Sequence, residues 1–463
     1  MPRKIATVRS PADDCAEEHD VIRVSPAVLR SWRLTAGSVI CMRFGSAACE
    51  VKVQPLSVKR LPAAEEELHL QGRLCGELGL RGGLRLSLLY LAHAKSLYLG
   101  PLVGVLISRL YSSSAEMPFG SMTAFCQELV KTCEAAGVCI FFFSPEQMGS
   151  LPDVGGMYYD GEWRKRSFPV PHVIYNRLTS RKDEKRPDVR NFLKTVHLLY
   201  DTQIFNDKYL DKNDVFQALR NDPALQDYLP ETYPFTTYQL LKTMSHRYPV
   251  LFLKPAAGSL GKGIFRLFRA ADDHCQIRYT AISSTVTLHF QTLSHAYAYI
   301  AAKVRIQPYQ IQQGLDLLTI GGRPVDFRAL VQRDGEGKWV LSSLLARIAA
   351  EEHFVSNIAR GGTMCGVQEA LEQSRFHAMK HVIHTKLRKA ALGIAHTLGS
   401  HVPGIFGELG IDLAVDTSGS AKLLEVNSKP SREEFTRPHP EQAARPSITR
   451  LVDYAIYLAK FAQ

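Results

Sequence analysis

The sequence predicts a multidomain protein that combines α/β and α+β architecture. Its 463 residues exceed what one ordinary hydrophobic core organises and suit about two to four packed units. A strand–helix–strand pattern at 102–143 is typical of a parallel α/β unit. From residue 205 onward, strands and helices alternate irregularly, which predicts an α+β unit.

The N-terminal region predicts a small β-rich domain behind a flexible tail. Residues 1–18 are polar, and we expect a loose tail there. The pair Ser25-Pro26 has the cap and the proline that open a helical turn. Glycines divide the stretch 65–96 into short segments, so we place a β-rich domain at residues 19–97. The clearest β segments are Val21–Val24, Ser38–Phe44 and Cys49–Val53.

Residues 98–203 predict a parallel α/β domain. The runs Leu102–Ile107 and Val138–Phe143 are apolar enough for buried strands, and Met122–Ala136 between them has helical spacing. A further strand at His172–Asn176 and a helix at Asn191–Tyr200 complete the pattern. No Gly-x-Gly-x-x-Gly follows the first strand, which argues against a dinucleotide site.

The C-terminal part, residues 204–463, predicts an α+β domain with two subdomains, at about 204–315 and 316–463. Ser374–Gly399 has the spacing of a long amphipathic helix that ends at a glycine. The segments Gly410–Val415 and Lys422–Asn427 predict a β-hairpin. Earlier in this part we predict helices at 215–220, 237–246 and 293–304 and strands at 250–254, 262–269, 277–281, 286–290, 309–313 and 325–333.

Composition excludes several classes of protein. The hydrophobic and charged fractions, 45% and 22%, are those of a soluble globular protein. The apolar runs are too short for a membrane helix, and the N-terminus has no apolar signal core, so we expect a cytoplasmic protein without a transmembrane segment. Nine scattered cysteines without a C-x-x-C pair favour reduced, structural thiols.

The net charge of +11 has two interpretations. One is a nucleic-acid or anionic-surface partner, and the other is a diffuse basic surface with phosphate-binding lysines. No aromatic-interleaved RNA motif, basic zipper or zinc finger accompanies the basic residues, so we expect no nucleic-acid partner.

Two carboxylates and an amide near the C-terminus form the strongest candidate site. Glu425 and Asn427 are two apart in a predicted strand and therefore face the same way, and the hairpin can bring Asp412 beside them. Such an all-oxygen set suits Mg²⁺. Ordinary polar strand residues are the alternative, but the flanking apolar residues predict burial, where charges need partners.

A lysine and a glycine-rich loop predict phosphate binding. The apolar strand that ends at Lys254 precedes a loop whose backbone amides can approach phosphate oxygens. Its pattern is not that of a P-loop, and an ordinary hairpin turn is the alternative. The candidate residues in the loop are Gly258, Ser259, Gly261, Lys262 and Gly263.

Two arginines in apolar strands need anions. Arg328 follows Asp326 on one predicted strand, and Arg347 lies on the next. A phosphate is one partner, and structural pairing of Arg328 with Asp326 or a nearby acid is the other. Asn357, before a Gly-Gly pair, lies in a turn that can close over the same site.

These motifs resemble the ATP-grasp superfamily in order and spacing, together with Lys208 and Ile311-Gln-Gln-Gly-Leu315. Within it the sequence is most similar to the YheC/YheD-like, endospore coat-associated group, which Gly100-Pro-Leu-Val-Gly104 and Tyr228-Leu-Pro-Glu-Thr232 also resemble. The resemblance covers about residues 100–460. It implies that an ATP-grasp domain follows the α/β domain in the chain and that the protein uses ATP together with Mg²⁺.

The resemblance also implies roles in nucleotide binding. Lys208 and Lys254 would contact ATP phosphates or the adenine edge, and the 258–263 loop would cover the β- and γ-phosphates. The adenine hinge and the ribose contact would be supplied by Gln312, Gln313, Leu315 and Asp316.

The catalytic and metal roles follow from the same resemblance. Arg328 and Arg347, with Asn357, would steady the transferring phosphoryl group. A pair of Mg²⁺ ions, with Mn²⁺ as an alternative metal, would be held by Asp412, Glu425 and Asn427.

The leading interpretation is an ADP-forming carboxylate–amine ligase that activates a carboxylate as an acyl-phosphate and joins it to an amino acid or peptide-like amine. A kinase with the same site and an ATP-binding structural or assembly protein of the spore coat, with spore-coat partners, stay open as alternatives. Lys429, Arg432 and Arg437 are either contacts for an anionic acceptor or a solvated basic edge. The N-terminal domain is a candidate module for directing the enzyme to a polymer, surface or partner.

Overall fold

The computed structural model describes residues 3–10, 20–56, 66–111, 114–256, 263–280, 285–305, 307–350, 362–431 and 444–461. In these ranges the strands form four sheets, of which the first is a closed barrel. All eight described cysteines are free thiols. None of the helices in these ranges is long and apolar enough to cross a membrane.

The first sheet is a barrel in the order β1-β5-β2-β4-β3-β7-β6. Its strands are β1 (Lys4–Arg9), β2 (Val21–Val24), β3 (Val39–Phe44), β4 (Ala47–Pro55), β5 (Glu66–Leu70), β6 (Arg85–Leu91) and β7 (Ser96–Gly100). Two short helices accompany them, α1 (Pro26–Trp32) and α2 (Gly72–Glu77). As predicted, Ser25 caps α1, accepting a hydrogen bond from the backbone of Val28.

The predicted flexible tail is wrong for residues 4–9. They form β1, which pairs with β5 and β6 and closes the barrel. The physical reason is the alternation in Lys-Ile-Ala-Thr-Val-Arg, which places Ala6 and Val8 in the core at 1% and 0% exposure. Residues 11–19 of the predicted tail lie outside the described ranges.

The second sheet runs β11-β10-β9-β8-β12-β13. Its central strands β9, β8, β12 and β13 are parallel, as the α/β pattern predicts, and an antiparallel hairpin that the sequence analysis did not predict extends it. The strands are β8 (Leu102–Ile107), β9 (Cys139–Phe143), β10 (Asp153–Tyr159), β11 (Trp163–Pro169), β12 (Val173–Arg177) and β13 (Gln203–Phe205). The helices are α3 (Thr123–Ala135), α4 (Arg181–Glu184) and α5 (Pro187–Tyr200).

The third sheet runs β14-β19-β15-β16-β17-β18 and is antiparallel. Three helices belong to this part of the chain: α6 (Lys212–Arg220), α7 (Tyr238–Arg247) and α8 (Leu293–Lys303). The last two cover one face of the sheet with apolar side chains. The strands are β14 (Thr232–Pro234), β15 (Val250–Pro255), β16 (Phe265–Arg269), β17 (Cys275–Thr280), β18 (Thr285–Phe290) and β19 (Tyr309–Gln313).

The fourth sheet runs β23-β22-β21-β24-β25, with β20 paired to β21. Its strands are β20 (Thr319–Ile320), β21 (Arg323–Arg333), β22 (Trp339–Ile348), β23 (Thr363–Gly366), β24 (Glu408–Val415) and β25 (Ala421–Asn427). The helices α9 (Val367–Glu372) and α10 (Lys380–His401) pack on it. In α10 the buried residues Ile383, Leu387, Ile394 and Leu398 repeat at helical spacing, which explains the predicted amphipathic pattern.

Two helices cross the boundaries that the sequence predicts. Val215 and Phe216 of α6 belong to the core of the fourth sheet, although the prediction assigns α6 to the 204–315 subdomain. The last helix, α11 (Pro446–Leu458), buries Ile448 and Leu451 in the core of the second sheet. An apolar helix face packs wherever it loses most contact with water, and chain order does not determine that place.

A buried polar cluster joins the second and fourth sheets. Glu408, at 0% exposure, accepts a hydrogen bond from the hydroxyl of Tyr175 and another from Gln332 Nε2 over 3.3 Å. Its Oε1 lies 3.5 Å from Nη1 of Arg177, which also donates to the carbonyl of Pro430 over 3.1 Å. The α/β sheet therefore contacts the fourth sheet at the start of β24, through Glu408, and the chain just after β25, through Pro430.

Candidate functional site

The third and fourth sheets line a cleft with polar side chains. Side chains alternate along β15, so that Leu253 enters the core beneath α7 and α8 whereas Lys254 lies on the other face, with Gln310 and Gln312 of β19. Gln310 Nε2 donates to Oδ1 of Asn213 on α6 over 2.7 Å. Because α6 packs on the fourth sheet, this contact connects the Lys254 face of the third sheet to the fourth sheet.

One row of charged side chains crosses the fourth sheet on the cleft side. Arg328 on β21 lies opposite Asp412 on β24, which lies opposite Glu425 on β25. Ile411, next to Asp412, faces the core on the other side. The register thus confirms the adjacency that the hairpin pattern predicts, and Asn427, two residues beyond Glu425, lies opposite Gly410 on the same face.

Both predicted arginines pair with carboxylates of the protein. Arg347 binds Asp326 through two hydrogen bonds, from Nε over 2.6 Å and from Nη2 over 2.9 Å. Asp412 Oδ1 lies 2.9 Å from Arg328 Nε and 3.1 Å from Arg347 Nη2. The structural interpretation of Arg328 therefore holds, with Asp412 as an acidic partner.

The carboxylates on β24 and β25 fit a hard divalent cation. Two acids directly opposite each other on paired strands destabilise a sheet unless positive charge lies near them. Arg328 and Arg347 provide it for Asp412, and Lys212 Nζ lies 3.4 Å from Oε1 of Glu425. Within the described ranges no three His, Cys, Asp or Glu side chains form a metal-binding group. Asn427 lies on the same face as Glu425, and its amide oxygen would be a third protein ligand beside the two carboxylates. This oxygen set suits Mg²⁺, completed by water and phosphate.

Two lysines lie near these carboxylates, Lys212 on α6 and Lys254 on β15. Lys254 Nζ donates to Oε1 of Gln312 over 2.5 Å. Burial and the neighbouring Lys212 lower the pKa of Lys254 to about 8, although Glu425 and Asp412 oppose the change. Lys212 was not among the predicted site residues. Its only local signal is the preceding Asp211, which caps α6, since its contact with Glu425 joins distant parts of the chain.

The lowered pKa of Lys254 makes a prediction about pH. Only the protonated amine attracts phosphate, and the free protein loses this proton as the pH rises through about 8. We expect the Kd for Mg·ATP to increase by about tenfold between pH 7 and pH 9. Isothermal titration across this range measures it.

The control for this prediction is Lys254→Arg, because an arginine stays charged throughout the range. The pH dependence should then be lost while binding persists. A dependence that survives in Lys254→Arg would assign the titration to another group, such as Lys429, whose pKa burial also lowers to about 8.

The remaining predicted nucleotide contacts surround the same cleft. The carbonyl of Lys208 accepts a hydrogen bond from Ser428 Oγ over 2.8 Å, which places Lys208 beside the end of β25. Gln312 is buried and also donates Nε2 to Thr232 over 2.9 Å, and Gln313 Oε1 accepts from the backbone of Glu231 over 2.9 Å. Their side-chain amides therefore order the strand. Beyond them, Leu315 is half-buried and Asp316 is exposed where the chain passes to the fourth sheet.

Several predicted residues lie outside the described ranges, namely Gly258, Ser259, Gly261, Lys262 and Asn357. Gly263 is the described end of the predicted loop. Its φ of +71° suits glycine, and its carbonyl accepts a hydrogen bond from the hydroxyl of Tyr309 over 3.0 Å. The end of the loop is therefore anchored beside Pro255, the last residue of β15.

A buried asparagine orders the strands that carry the carboxylates. Asn206 has a φ of +53° and lies at 0% exposure. Its Oδ1 accepts from the backbone of Gly407 over 2.8 Å, and its Nδ2 donates to the carbonyl of Ser428 over 2.6 Å. One side chain thus connects the start of β24 to the end of β25. The sequence analysis missed this residue, for which no pattern was visible.

Lys429, a candidate contact for an anionic acceptor substrate, is already paired with a carboxylate of the protein. Its side chain is 2% exposed and its Nζ lies 2.6 Å from Oε2 of Glu184 on α4. It also lies 4.8 Å from the ring centre of Tyr209. The lysine therefore joins the α/β unit to the chain after β25. Arg432 and Arg437, the other two candidates, lie outside the described ranges.

Comparison with known proteins extends these observations. The endospore coat-associated protein YheD of Bacillus subtilis is 29% identical over 403 residues, which cover 86% of this chain and 87% of YheD. YheC of the same organism, also named endospore coat-associated, is 22% identical over 329 residues, which cover 69% of this chain and 88% of YheC.

Among solved structures, D-alanyl-alanine synthetase A of Vibrio cholerae is 13% identical with a TM-score of 0.46, covering 78% of this chain and 98% of that one. The ATP-grasp ligase PsnB with its minimal precursor is 14% identical with a TM-score of 0.43, covering 78% and 99%. The family described as YheC/D like ATP-grasp matches residues 201–458, which include both sheets of the cleft. The chain has the ATP-grasp fold and belongs to the YheC/D-like ATP-grasp family.

Proposed function

We propose that this protein is an ATP-dependent carboxylate–amine ligase that binds Mg·ATP in the cleft. The observation that carries the proposal is the grouping of cationic side chains with oxygen ligands in this cleft. Lys254 and Lys212 provide cationic contacts for phosphates, and Asp412, Glu425 and Asn427 provide oxygen ligands for Mg²⁺. Phosphoryl transfer requires mainly positioning and charge neutralisation, which these groups can supply.

The proposed reaction has two steps. A carboxylate oxygen of the substrate attacks the γ-phosphorus of ATP, the bond to the bridging oxygen breaks, and ADP leaves. An amine then attacks the acyl carbon of the acyl-phosphate, phosphate leaves with its bonding electrons, and the nitrogen loses a proton as the amide forms. Mg²⁺, when bound, supplies neutralisation of phosphate charge.

We propose that Arg328 and Arg347 position the reacting groups of this site. Arg328 and Arg347 hold Asp412 in place through the ion pairs described above, and their positive charge can stabilise the transferring phosphoryl group. We further propose that Lys208 and the 312–316 hinge contact the nucleotide. The 258–263 loop would cover the β- and γ-phosphates, and Asn357 would help to steady the transferring phosphoryl group. The domain limits at 97 and 203 are likewise proposals.

The names of YheD and YheC favour a place at the spore coat. We therefore propose a cytoplasmic enzyme that associates with the coat, and its substrates as an amino acid or peptide-like amine and a carboxylate. These assignments depend on relatives, and the cleft chemistry does not depend on them.

The test is an ATP hydrolysis assay that resolves ADP from AMP, with Mg²⁺ and pools of amino acids and small peptides. Release of ADP and phosphate only with a particular pair, together with a product heavier by one condensed unit, would support the ligase. A phosphorylated product would identify a kinase instead. Tight ATP binding without stimulation by any pool would favour the structural or assembly protein.

A further inference from the structure

A pair of arginines lies on the cleft-side face of the third sheet, beyond the residues assigned to ATP. Arg266 on β16 is directly opposite Arg278 on β17, and Arg266 is also opposite Phe252 on β15. Phe252 and Lys254 share this face because they are two residues apart. The arginine pair therefore extends the cationic surface of Lys254 outward across the sheet.

The two opposite guanidinium groups repel each other, which destabilises this part of the sheet. Directly opposite residues on antiparallel strands have Cβ atoms about 5 Å apart, and like charges at this spacing destabilise a sheet. Burial, and then the charge of Arg278, lower the pKa of Arg266 from its ordinary value. Neither guanidinium group has an ion pair or a side-chain hydrogen bond to a residue within the described ranges. By contrast, Arg269 on the same strand pairs with Asp273 over 2.8 Å.

A pocket adjoins the pair on its outer side. The next row on this face is Phe268, Gln276 and His289, which lie opposite one another. These residues and His274 line a pocket of about 290 Å³. Phe268 is 38% exposed there, so its ring is accessible to a ligand in the pocket. The face thus presents, in order, Lys254, the arginine pair and a pocket with apolar and polar walls.

We propose that Arg266 and Arg278 form a binding site for a carboxylate group of the substrate, whose remaining part extends toward the pocket at Phe268. Two guanidinium groups side by side can bind one carboxylate through several charge-assisted hydrogen bonds. The bound anion removes the repulsion between them. This inference rests on the proposed function, since it names the substrate of that function as acidic.

The experiment measures binding rather than turnover. Fluorescence anisotropy with fluorescein-labelled hexaglutamate, in the presence of Mg²⁺ and a non-hydrolysable ATP analogue, gives the Kd for an acidic probe. Arg278→Gln should weaken this binding by at least about tenfold, the effect of losing hydrogen bonds to a charged group. The Kd of the same variant for Mg·ATP should change by less than about twofold. Arg269→Gln, which removes the same charge from the same sheet, should leave both constants unchanged.

The outcomes separate this proposal from the proposed function. If Arg269→Gln lost as much hexaglutamate binding as Arg278→Gln, the change in net charge would explain the effect and the proposed site would be wrong. A loss of Mg·ATP binding in Arg278→Gln would assign the pair to nucleotide phosphates instead. Wild-type hexaglutamate binding by Arg278→Gln would also overturn it, whereas a failed ligase assay would leave these constants unaffected. The thermal midpoint of Arg278→Gln should not fall, because the substitution relieves repulsion.

Discussion

Glu425→Gln should lower ATP turnover by about 10²- to 10³-fold while the protein stays folded. Glutamine keeps the size of the side chain and one amide oxygen, but it removes the negative charge that attracts Mg²⁺. It also removes the ion partner of Lys212, so the positive charge in the cleft is no longer balanced there. Turnover measured over a range of Mg²⁺ concentrations should show a higher requirement for the metal as well as a lower maximum.

The matched control is Glu372→Gln. Glu372 is a glutamate on α9 that pairs with Lys380 over 2.5 Å, and it lies away from the cleft on the surface. Its substitution changes the net charge by the same amount and should leave turnover and Mg²⁺ dependence as in the original chain. A folded Glu425→Gln protein with unchanged turnover would rule out Glu425 as a metal ligand.

Local periodicity predicted the elements that carry the candidate site. The β24–β25 hairpin and the long helix α10 follow patterns of apolar spacing. The hairpin strands lie near their predicted bounds, whereas α10 spans Lys380–His401, beginning later than the predicted 374–399 and continuing past Gly399. The glutamate and asparagine at 425 and 427 were predictable because a strand puts every second residue on one face. The pairing of Asp412 with Glu425 was not predictable from the turn alone, because the register next to the turn would put residue 424 opposite Asp412. A shift of register between Asp412 and Leu413 brings Glu425 there instead.

Contacts between distant segments were not predictable in this way. Lys212 and Asn206 reach the ends of β24 and β25 from a part of the chain about two hundred residues away in sequence. The strand β1 looked like a tail because only two of its residues, Ala6 and Val8, are apolar and buried. A single buried face of two residues gives a weak pattern, and only closure of the barrel gives it a role.

The arginines illustrate a second limit. The sequence indicated that Arg328 and Arg347 needed anions, which was correct, but it did not distinguish phosphate from carboxylate. The choice depends on the register of β21 against its neighbours, which places Asp412 beside Arg328 and Asp326 beside Arg347. The proximity of Arg266 and Arg278 was not predictable from the sequence at all, because only the register of β16 with β17 brings them together.

Glu408→Ala should lower the free energy of unfolding by about 3–5 kcal/mol, because it leaves the buried guanidinium of Arg177 without a carboxylate. At 0% exposure the glutamate has no access to water, and the space left by its side chain adds to the loss. Denaturant unfolding followed by tryptophan fluorescence should show the transition at a lower midpoint. Because Glu408 begins β24, the same substitution should also weaken Mg²⁺ binding at Asp412, four residues later in the strand.

A pair of further variants separates charge from packing at this position. Glu408→Gln keeps the volume and an oxygen that can accept from Tyr175, so it should cost less than the alanine variant while still leaving Arg177 unpaired. Tyr175→Phe removes one hydrogen bond and no charge, and it should cost about 1.5–3 kcal/mol. If the alanine and phenylalanine variants were equally stable, the ion pair with Arg177 would contribute nothing. The connection between the α/β sheet and the strand of Asp412 would then depend on the hydroxyl of Tyr175, on the hydrogen bonds of Asn206 and on apolar packing.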